Sequence, residues 1–480
     1  MDEKAVGSYI DKLKKNINRD YISKDIESAM AGIASVARIN YHYNQIYKDD
    51  FLEKYVQMIA DDISVHITRD ELCKNTILFY DWFGYDVRGL AYIYLKAILH
   101  NGYHLVYITK DSAKGMQPEI FSLFADKTVD VIYFSEKDSY LNNTKQLISI
   151  IEQYKPKYMF YYTCPYDPAG AVAFTRFKGI ITRFQIDLTD HTAWLGLNTF
   201  DYIIEFREYG GLVSCEYRGI NCDKIRVLPY YPCINYDMKF QGFPFDRNGK
   251  KVIFSGGALY KTIDKEKTYY KIVEDLLSYN NNIVFLYAGA GPHEMLDNLE
   301  IKFPGKVFHI SERKDLYQLM KNSDLYLSTY PFAGGLMIQY AVMASCIPLT
   351  LQRKGANDID GILREQDSSG LFFSDIDELE NAAKKVLTDE EYAANLKNDM
   401  QGRIITEKEF EKELNNIIKE KQTNTQITKL HLDTTQFRNG MKENFTKFDI
   451  YRAIARKKNK VLIKKYPWIF LLRILKSIRK

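Results

Sequence analysis

Long apolar runs are missing from this chain. Across its 480 residues no stretch of about 18–20 uncharged apolar residues occurs, so the sequence predicts no bilayer-spanning helix. Cysteine is scarce: Cys73, Cys164, Cys215, Cys222, Cys233 and Cys346 form no C-x-x-C pair, and the histidines form no cluster at zinc-ligand spacing. A disulfide scaffold and a structural zinc site are thereby disfavoured, and reduced thiols in a cytoplasmic setting are expected. The opening MDEKAVGSYIDKLKK is charged and has no apolar core, so it does not read as a secretory signal. No Asp-x-Asp stands in a position to hold a catalytic metal, and neither a metal nor a cofactor is expected.

Acidic residues are absent from the C-terminal segment, where basic ones crowd. Ile450–Lys480 carries eleven basic residues and no acid. Setting these eleven aside from the 66 basic residues leaves the body with 55 against 62 acidic ones, so a mildly acidic body bears a strongly basic tail. The tail also holds Trp468, Ile469, Phe470, Leu471 and Leu472. Lysine and arginine beside such residues suit a helix lying on an anionic membrane surface, each cation adding on the order of 1 kcal/mol. Packing back onto the protein is the competing reading. No nucleic-acid-binding module is recognisable, so nucleic acid is not an expected partner.

What is present is ordinary globular material, 46% hydrophobic and 27% charged, long enough for two or more domains. Aromatics reach 14%, with 37 Tyr, which suits sugar-stacking surfaces and cores alike. Residues 1–70 show helical spacing, with Tyr9, Leu13 and Ile17, then Ile26, Met30, Ile33, Val36 and Ile39. From about residue 75 short apolar runs alternate with helical stretches: TILFYD, HLVYIT, VDVIYFS, YMFYYT, ITRFQID, YIIEF and IRVLP. Such alternation predicts a parallel sheet with helices on both faces. A polar stretch with Gly and Pro, 236–250, reads as a linker. The alternation then restarts with KVIFSGG, NIVFLYAGAG, GKVFHI, DLYLSTYP, IPLTL and GLFFS. The expected organisation is a helical N-terminal extension (1–70), a Rossmann-like acceptor-side domain (71–235), the linker, a second Rossmann-like domain (251–405), and C-terminal helices with the basic tail (406–480).

Three glycine turns follow strands of the second domain: Gly256-Gly257, Gly289-Ala290-Gly291 and Gly334-Gly335. At the carboxyl ends of parallel strands, glycines let main-chain N–H groups face a phosphate, helped by the positive end of the next helix. One such turn is weak evidence; three at successive strand ends point to a phosphate site. In the first domain, Asp190-His191 stands just past a strand end. Histidine is the common base for taking a hydroxyl proton near neutral pH, and Asp187 or Asp190 could orient its ring. His104 and His293 are weaker candidates. Trp194 either stacks on a sugar face or packs.

The set SGGALYK, AGAG and ISERKDLYQLMKNSDLYLSTYPFAGGLMIQYAVMASCIPLTL resembles the nucleotide-sugar-binding domain of GT-B-fold glycosyltransferases, in layout the O-GlcNAc transferase and HMW1C-like group. The resemblance spans roughly 75–400. It implies two Rossmann-like domains facing a cleft and a nucleotide-sugar donor, a UDP-sugar first of all. It places Gly334 and Gly335 on the diphosphate, and Gly256 and Gly257 beside them. Lys261 would be a phosphate cation, with Lys265 and Lys267 as alternates. Gly289 and Gly291 would border the nucleoside, and Arg313 and Gln339 would be donor contacts. In the loop DWFGYDVRG it makes Gly84, Arg88 and Gly89 acceptor-side candidates, against the plain reading of a strand–helix turn capped by Asp86. The chain departs from the retaining pattern: the Glu-x7-Glu pair is missing and Gln339 stands at one of its places. An inverting transfer is therefore preferred, to a glycan or lipid-linked acceptor in bacterial surface polysaccharide synthesis, on the cytoplasmic side and peripheral to the membrane through the tail. A sugar-nucleotide epimerase of the same fold and a non-catalytic scaffold are the alternatives.

Overall fold

In the computed structural model, the described residues are 3–87, 89–162, 164–353, 359–424, 427 and 432–478, with side chains described outside 473 and 475–478. The chain forms two compact units, Met1–Leu228 with Lys408–Lys480, and Pro229–Glu407.

The first unit holds a seven-stranded parallel sheet: β1 (Cys73–Asp81), β2 (His104–Lys110), β3 (Val129–Phe134), β4 (Pro156–Tyr162), β5 (Thr182–Asp187), β6 (Tyr202–Glu205) and β7 (Ile225–Val227). The order is β3-β2-β1-β4-β5-β6-β7. β1 is interior to the sheet, with Ile77 level with Leu105 on one side and Tyr158 on the other. The strand order reverses at β1, where a doubly wound sheet opens its crevice. Strands covered on both faces must be apolar throughout, and Ile77, Leu78, Phe79 and Tyr80 are buried without alternation. Much of the tyrosine excess goes here. Tyr80, Tyr107, Tyr161 and Tyr162 are among the largest fully buried side chains. Their hydroxyls need partners: Tyr80 donates to Asp167 (2.9 Å) and Tyr107 to Asp81 (2.7 Å).

The N-terminal helices α1 (Glu3–Ile22), α2 (Ile26–Tyr43) and α3 (Asp50–Asp61) are no appendage. Their apolar faces (Leu13, Ile17, Met30, Ile33, Val36, Leu52, Val56) share one core with Ile450, Ile454, Leu462, Ile469 and Leu472 from the C-terminal helices. Asp25 and Asp49 cap α2 and α3 by accepting from the Ser28 and Leu52 amides. Lys465 pairs with Asp20 (2.9 Å) and Asp25 (2.5 Å). Of the two readings of the basic tail, a membrane surface or packing back onto the protein, the second accounts for Ile450, Ile454, Leu462, Ile469 and Leu472, which fill this core with α1, α2 and α3. Phe470 and Leu471 are left exposed at 51% and 60%. Among the described residues no helix is long and apolar enough to cross a membrane.

The second unit holds a six-stranded parallel sheet: β8 (Lys251–Gly256), β9 (Ile283–Ala288), β10 (Val307–Ile310), β11 (Leu325–Leu327), β12 (Ile347–Leu351) and β13 (Phe372–Phe373), in the order β10-β9-β8-β11-β12-β13. The segment read as a linker is fastened to this unit. The Gln241 amide donates to Asp315 (2.8 Å), Phe245 packs on Phe308 (4.5 Å between centroids), and Arg247 pairs with Asp324 (3.0 Å). Its three phenylalanines, Phe240, Phe243 and Phe245, explain why it cannot stay solvated. Cys215 and Cys222, expected as thiols, are joined by a disulfide with Cα atoms 5.8 Å apart.

Candidate active site

In a parallel sheet all strands end on one edge, so loops far apart in sequence meet there. At the carboxyl edge of the first sheet, β5 ends in Asp187 and the chain turns through Asp190 and His191. Asp190 is fully buried. It receives two hydrogen bonds from Arg207, Nε to Oδ2 (2.6 Å) and Nη2 to Oδ1 (3.0 Å). His191 Nδ1 lies 3.1 Å from Oδ1 of Asp190. Burial opposes charge on Asp190, but the Arg207 guanidinium and the bonds from His191 and Arg207 outweigh it and hold the carboxyl well below the usual range. An ionised Asp190 accepts from Nδ1–H, which leaves the lone pair of the neutral imidazole on Nε2. The ring is about a third exposed, with a side-chain accessibility of 36%, and meets Phe437 edge-on at 5.6 Å.

The loop is held from three directions. Asn44, the left-handed cap of α2, donates to the His191 carbonyl (2.9 Å) and accepts from the Ala193 amide (2.9 Å). Arg218 donates to the carbonyls of Asp190 (2.9 Å) and Thr192 (2.7 Å). Glu53 of α3 accepts from the Gly196 and Leu197 amides, both at 2.8 Å. Beneath lie two more buried carboxyls. Asp187 accepts from the Thr189 amide (2.8 Å) and from Trp194 Nε1 (2.9 Å). Glu205 accepts only the Ser214 hydroxyl on Oε1 (2.5 Å), and its Oε2 has no partner among the described residues. Burial, then the Asp187 charge, pushes Glu205 up, and with so few donors it is the one that keeps its proton.

The acceptor-side expectations divide. Trp194 is buried (3% exposed), bonded to Asp187 and packed with Phe200 and Ile203, so it presents no face to a sugar. That corrects the stacking option: the indole N–H was needed to satisfy Asp187. Gly84 and Gly89 lie in the loop after β1, tight against Ala113 and the Tyr162 hydroxyl. The Gly84 amide is bonded to Asp81 (2.9 Å). Arg88 lies outside the described residues. Arg207, Arg218 and Asn44 were not singled out from sequence, though Arg207 stands only two residues past the end of β6.

At the carboxyl edge of the second sheet the three glycine turns come together. The Gly257 amide donates to the Ala288 carbonyl (2.9 Å), the Leu259 amide to the Ala290 carbonyl (3.0 Å), and the Phe332 amide to the Lys261 carbonyl (3.3 Å). Their roles differ. A Cβ on Gly289 would sit 1.9 Å from the Gly257 carbonyl oxygen, so this glycine serves backbone packing. Gly291 stacks on Leu259, Gly256 meets the Ala288 carbonyl, and Gly335 meets Ile362. Gly257 is different: its φ of +130° is glycine territory and a Cβ there would meet nothing within 4 Å. Gly334 caps the helix Gly335–Met343, and the Lys261 Nζ lies 3.9 Å from its Cβ position. Gly257, Gly334, Lys261 and the first amides of that helix form the anion-ready part of this edge.

Two expected donor contacts are committed elsewhere. Arg313 is bound to both oxygens of Asp315 and to the Gly242 carbonyl (2.6 Å), clamping the 240–242 segment. Gln339 is buried, donating to the carbonyls of Tyr230 (3.3 Å) and Ile362 (3.1 Å). It faces inward because its helix buries that side with Ile338 and Val342. Among the described residues neither edge brings three His, Cys, Asp or Glu side chains to metal-ligand spacing.

No protein-family model matches the chain, and no curated protein matches it by sequence. Solved structures match in fold. A glycosyltransferase from Rickettsia africae ESF-5 is 14% identical, with a TM-score of 0.53 over 73% of this chain and 100% of that one. An O-GlcNAc transferase from Thermobaculum terrenum is 13% identical, at 0.52 over 91% and 81%. A protein described as a UDP-N-acetylglucosamine 2-epimerase from Listeria monocytogenes is 10% identical, at 0.52 over 75% and 100%. The two-sheet architecture is that of the GT-B fold.

Proposed function

We propose that this chain is a glycosyltransferase that moves a sugar from a UDP-sugar to a hydroxyl of a glycan or lipid-linked acceptor, with inversion. The observation that carries the reading is the Asp190–His191 pair at a strand-end edge, with Asp190 buried and held ionised by Arg207. A buried anion behind Nδ1 fixes the tautomer and stabilises the imidazolium that forms when Nε2 takes a proton. In this reading the acceptor O–H proton passes to Nε2 of His191 as the oxygen bonds to the donor's anomeric carbon. The bond from that carbon to the phosphate oxygen breaks, and the nucleoside diphosphate leaves with the electron pair. Attack opposite the leaving group turns an α-linked donor into a β-linked product. Gly257, Gly334, Lys261 and the start of the helix Gly335–Met343 take the diphosphate and its growing charge, so the reading calls for no metal. The residual exposure of Phe470 and Leu471 supports contact with a membrane surface, as surface polysaccharide synthesis on the inner leaflet would require.

The test is a UDP-sugar screen on the full chain, read by released UDP and by label transferred to a membrane extract. Transfer with inverted stereochemistry, abolished by His191→Ala with UDP binding intact, is expected. Turnover that survives the substitution within a few-fold sinks the assigned base. Conversion of the donor sugar without any acceptor marks an epimerase, and no UDP-dependent melting shift marks a scaffold.

A further inference from the structure

Well-buried arginines in this chain have acceptors. Arg183 binds Asp201 and two carbonyls, Arg207 binds Asp190, and Arg218 binds carbonyls of the catalytic loop. Arg38, on α2, differs from these three. It is half-buried, its guanidinium lies 3.4 Å from the centroid of the Tyr166 ring, and among the described residues it has neither a carboxylate nor a hydrogen-bond acceptor. A stacked guanidinium still has its in-plane N–H groups to offer. The titratable groups that weigh on it are Tyr166, Arg456, Cys164 and Tyr140, none of them a carboxylate. Burial, then the like charge of Arg456, makes its own charge costly.

Its surroundings are cationic and aromatic. Tyr41 and His42 lie three and four residues on, on the same face of α2. Burial, then Arg38, pushes His42 down to about 4, with Arg452 and Arg456 adding to the effect and Asp449 opposing it. Tyr41 and Trp82 both meet Tyr166 edge-on, at 5.6 and 6.0 Å. Lys110 lies over Trp82 (5.2 Å), and Phe83 stacks on the exposed Tyr85 (5.4 Å). The nearby acids are occupied. Asp449 accepts from the Thr446 amide and hydroxyl, Glu27 takes the Tyr140 and Leu141 amides, and Asp167 takes Tyr80 and two amides. Trp82, Lys110 and Tyr166 sit at the ends of β1, β2 and β4, the same sheet edge that carries His191 after β5.

We infer that this cluster binds a phosphate group attached to a sugar ring, the phosphate oxygens on Arg38 and the ring on the neighbouring aromatic side chains. Resting on the transferase reading, it is where a phosphate-bearing acceptor is held beside the base. A guanidinium gives two parallel N–H donors to a phosphate, and aromatic faces suit a pyranose. The phosphate can be that of a lipid headgroup or of a soluble sugar phosphate.

Titration calorimetry on the full chain tests this with α-glucose 1-phosphate, glucose and inorganic phosphate as probes and UDP as control. Glucose 1-phosphate is expected to bind at least tenfold tighter than glucose, and Arg38→Met to lose at least tenfold of that affinity while UDP affinity stays within twofold. Arg456→Glu, at an exposed position that spares the fold, should weaken it at least threefold and decides the matter if the Arg38 variant does not fold. An alkyl phosphodiester of glucose binding tighter than glucose 1-phosphate assigns a lipid source; equal binding assigns a soluble one. Equal affinity for glucose and glucose 1-phosphate, or binding unchanged in a folded Arg38→Met, overturns the inference. Absence of UDP binding in the unsubstituted chain overturns the transferase reading instead and leaves the phosphate result to be judged alone.

Discussion

Glu53 makes a quantitative demand on the first unit. Its carboxyl is 7% exposed and spans the Gly196 and Leu197 amides. Burial, reinforced by the charges of Asp49 and Asp50, pushes it up to about 7 against the two amides, from an ordinary 4.5. The folded carboxyl then holds its proton more tightly than the unfolded one. Its penalty is absent below pH 4.5, grows as pH climbs, and is complete above 7. Between about pH 5 and about pH 8 that penalty amounts to about 2–3 kcal/mol. Other buried acids, among them Asp81 near 6, titrate in the same window, so the absolute curve is a composite. Glu53→Gln separates them, because the difference between the two proteins cancels every shared group. Gln also leaves one amide poorly paired, which costs a roughly constant 1–3 kcal/mol and leaves the slope alone. The assay is urea unfolding followed by tryptophan fluorescence. Trp82, Trp194 and Trp468 all lie in the first unit, so the signal reports that unit. The stability of the unsubstituted chain should fall by about 2–3 kcal/mol relative to Glu53→Gln over this range. A difference flat to within about 0.5 kcal/mol would mean that the two amides keep Glu53 ionised throughout and would refute the reasoning.

Asp190→Asn should cut turnover by on the order of 10²–10⁴ with UDP affinity unchanged, measured by UDP release against UDP calorimetry. Gly289→Ala drives a methyl into the Gly257 carbonyl and should unfold the second unit, seen as lost circular dichroism or insoluble protein. Gly257→Ala meets no atom and should cost only about 1–3 kcal/mol of backbone strain while weakening UDP binding, measured by melting and calorimetry. Ile469→Ala should cost about 2–5 kcal/mol in urea unfolding, because its side chain fills the α1–α2 core. Phe470→Asp with Leu471→Asp should leave melting unchanged and reduce cosedimentation with vesicles containing phosphatidylglycerol.

The strand–helix alternation placed the thirteen strands within a few residues. Period-two and period-3.6 patterns report burial, and burial is what a parallel sheet demands of its strands. The glycine turns after β8, β9 and β11 were visible for the same local reason: each follows a strand. Local sequence could not tell Gly289, jammed against a carbonyl, from Gly257, open to solvent, because that difference depends on β8 and β9 lying side by side. It could not tell that Trp194 is spent on Asp187, that Gln339 faces inward, or that Arg313 clamps 240–242. It placed Asp190 beside His191 but not Arg207, which turns a buried carboxyl into a fixed anion from seventeen residues away. Arg38 and Tyr166 are 128 positions apart and share no motif. Chain chemistry sets the period and the turns over a few bonds. Which charge meets which partner is fixed only when strand order and helix packing bring distant residues to one edge.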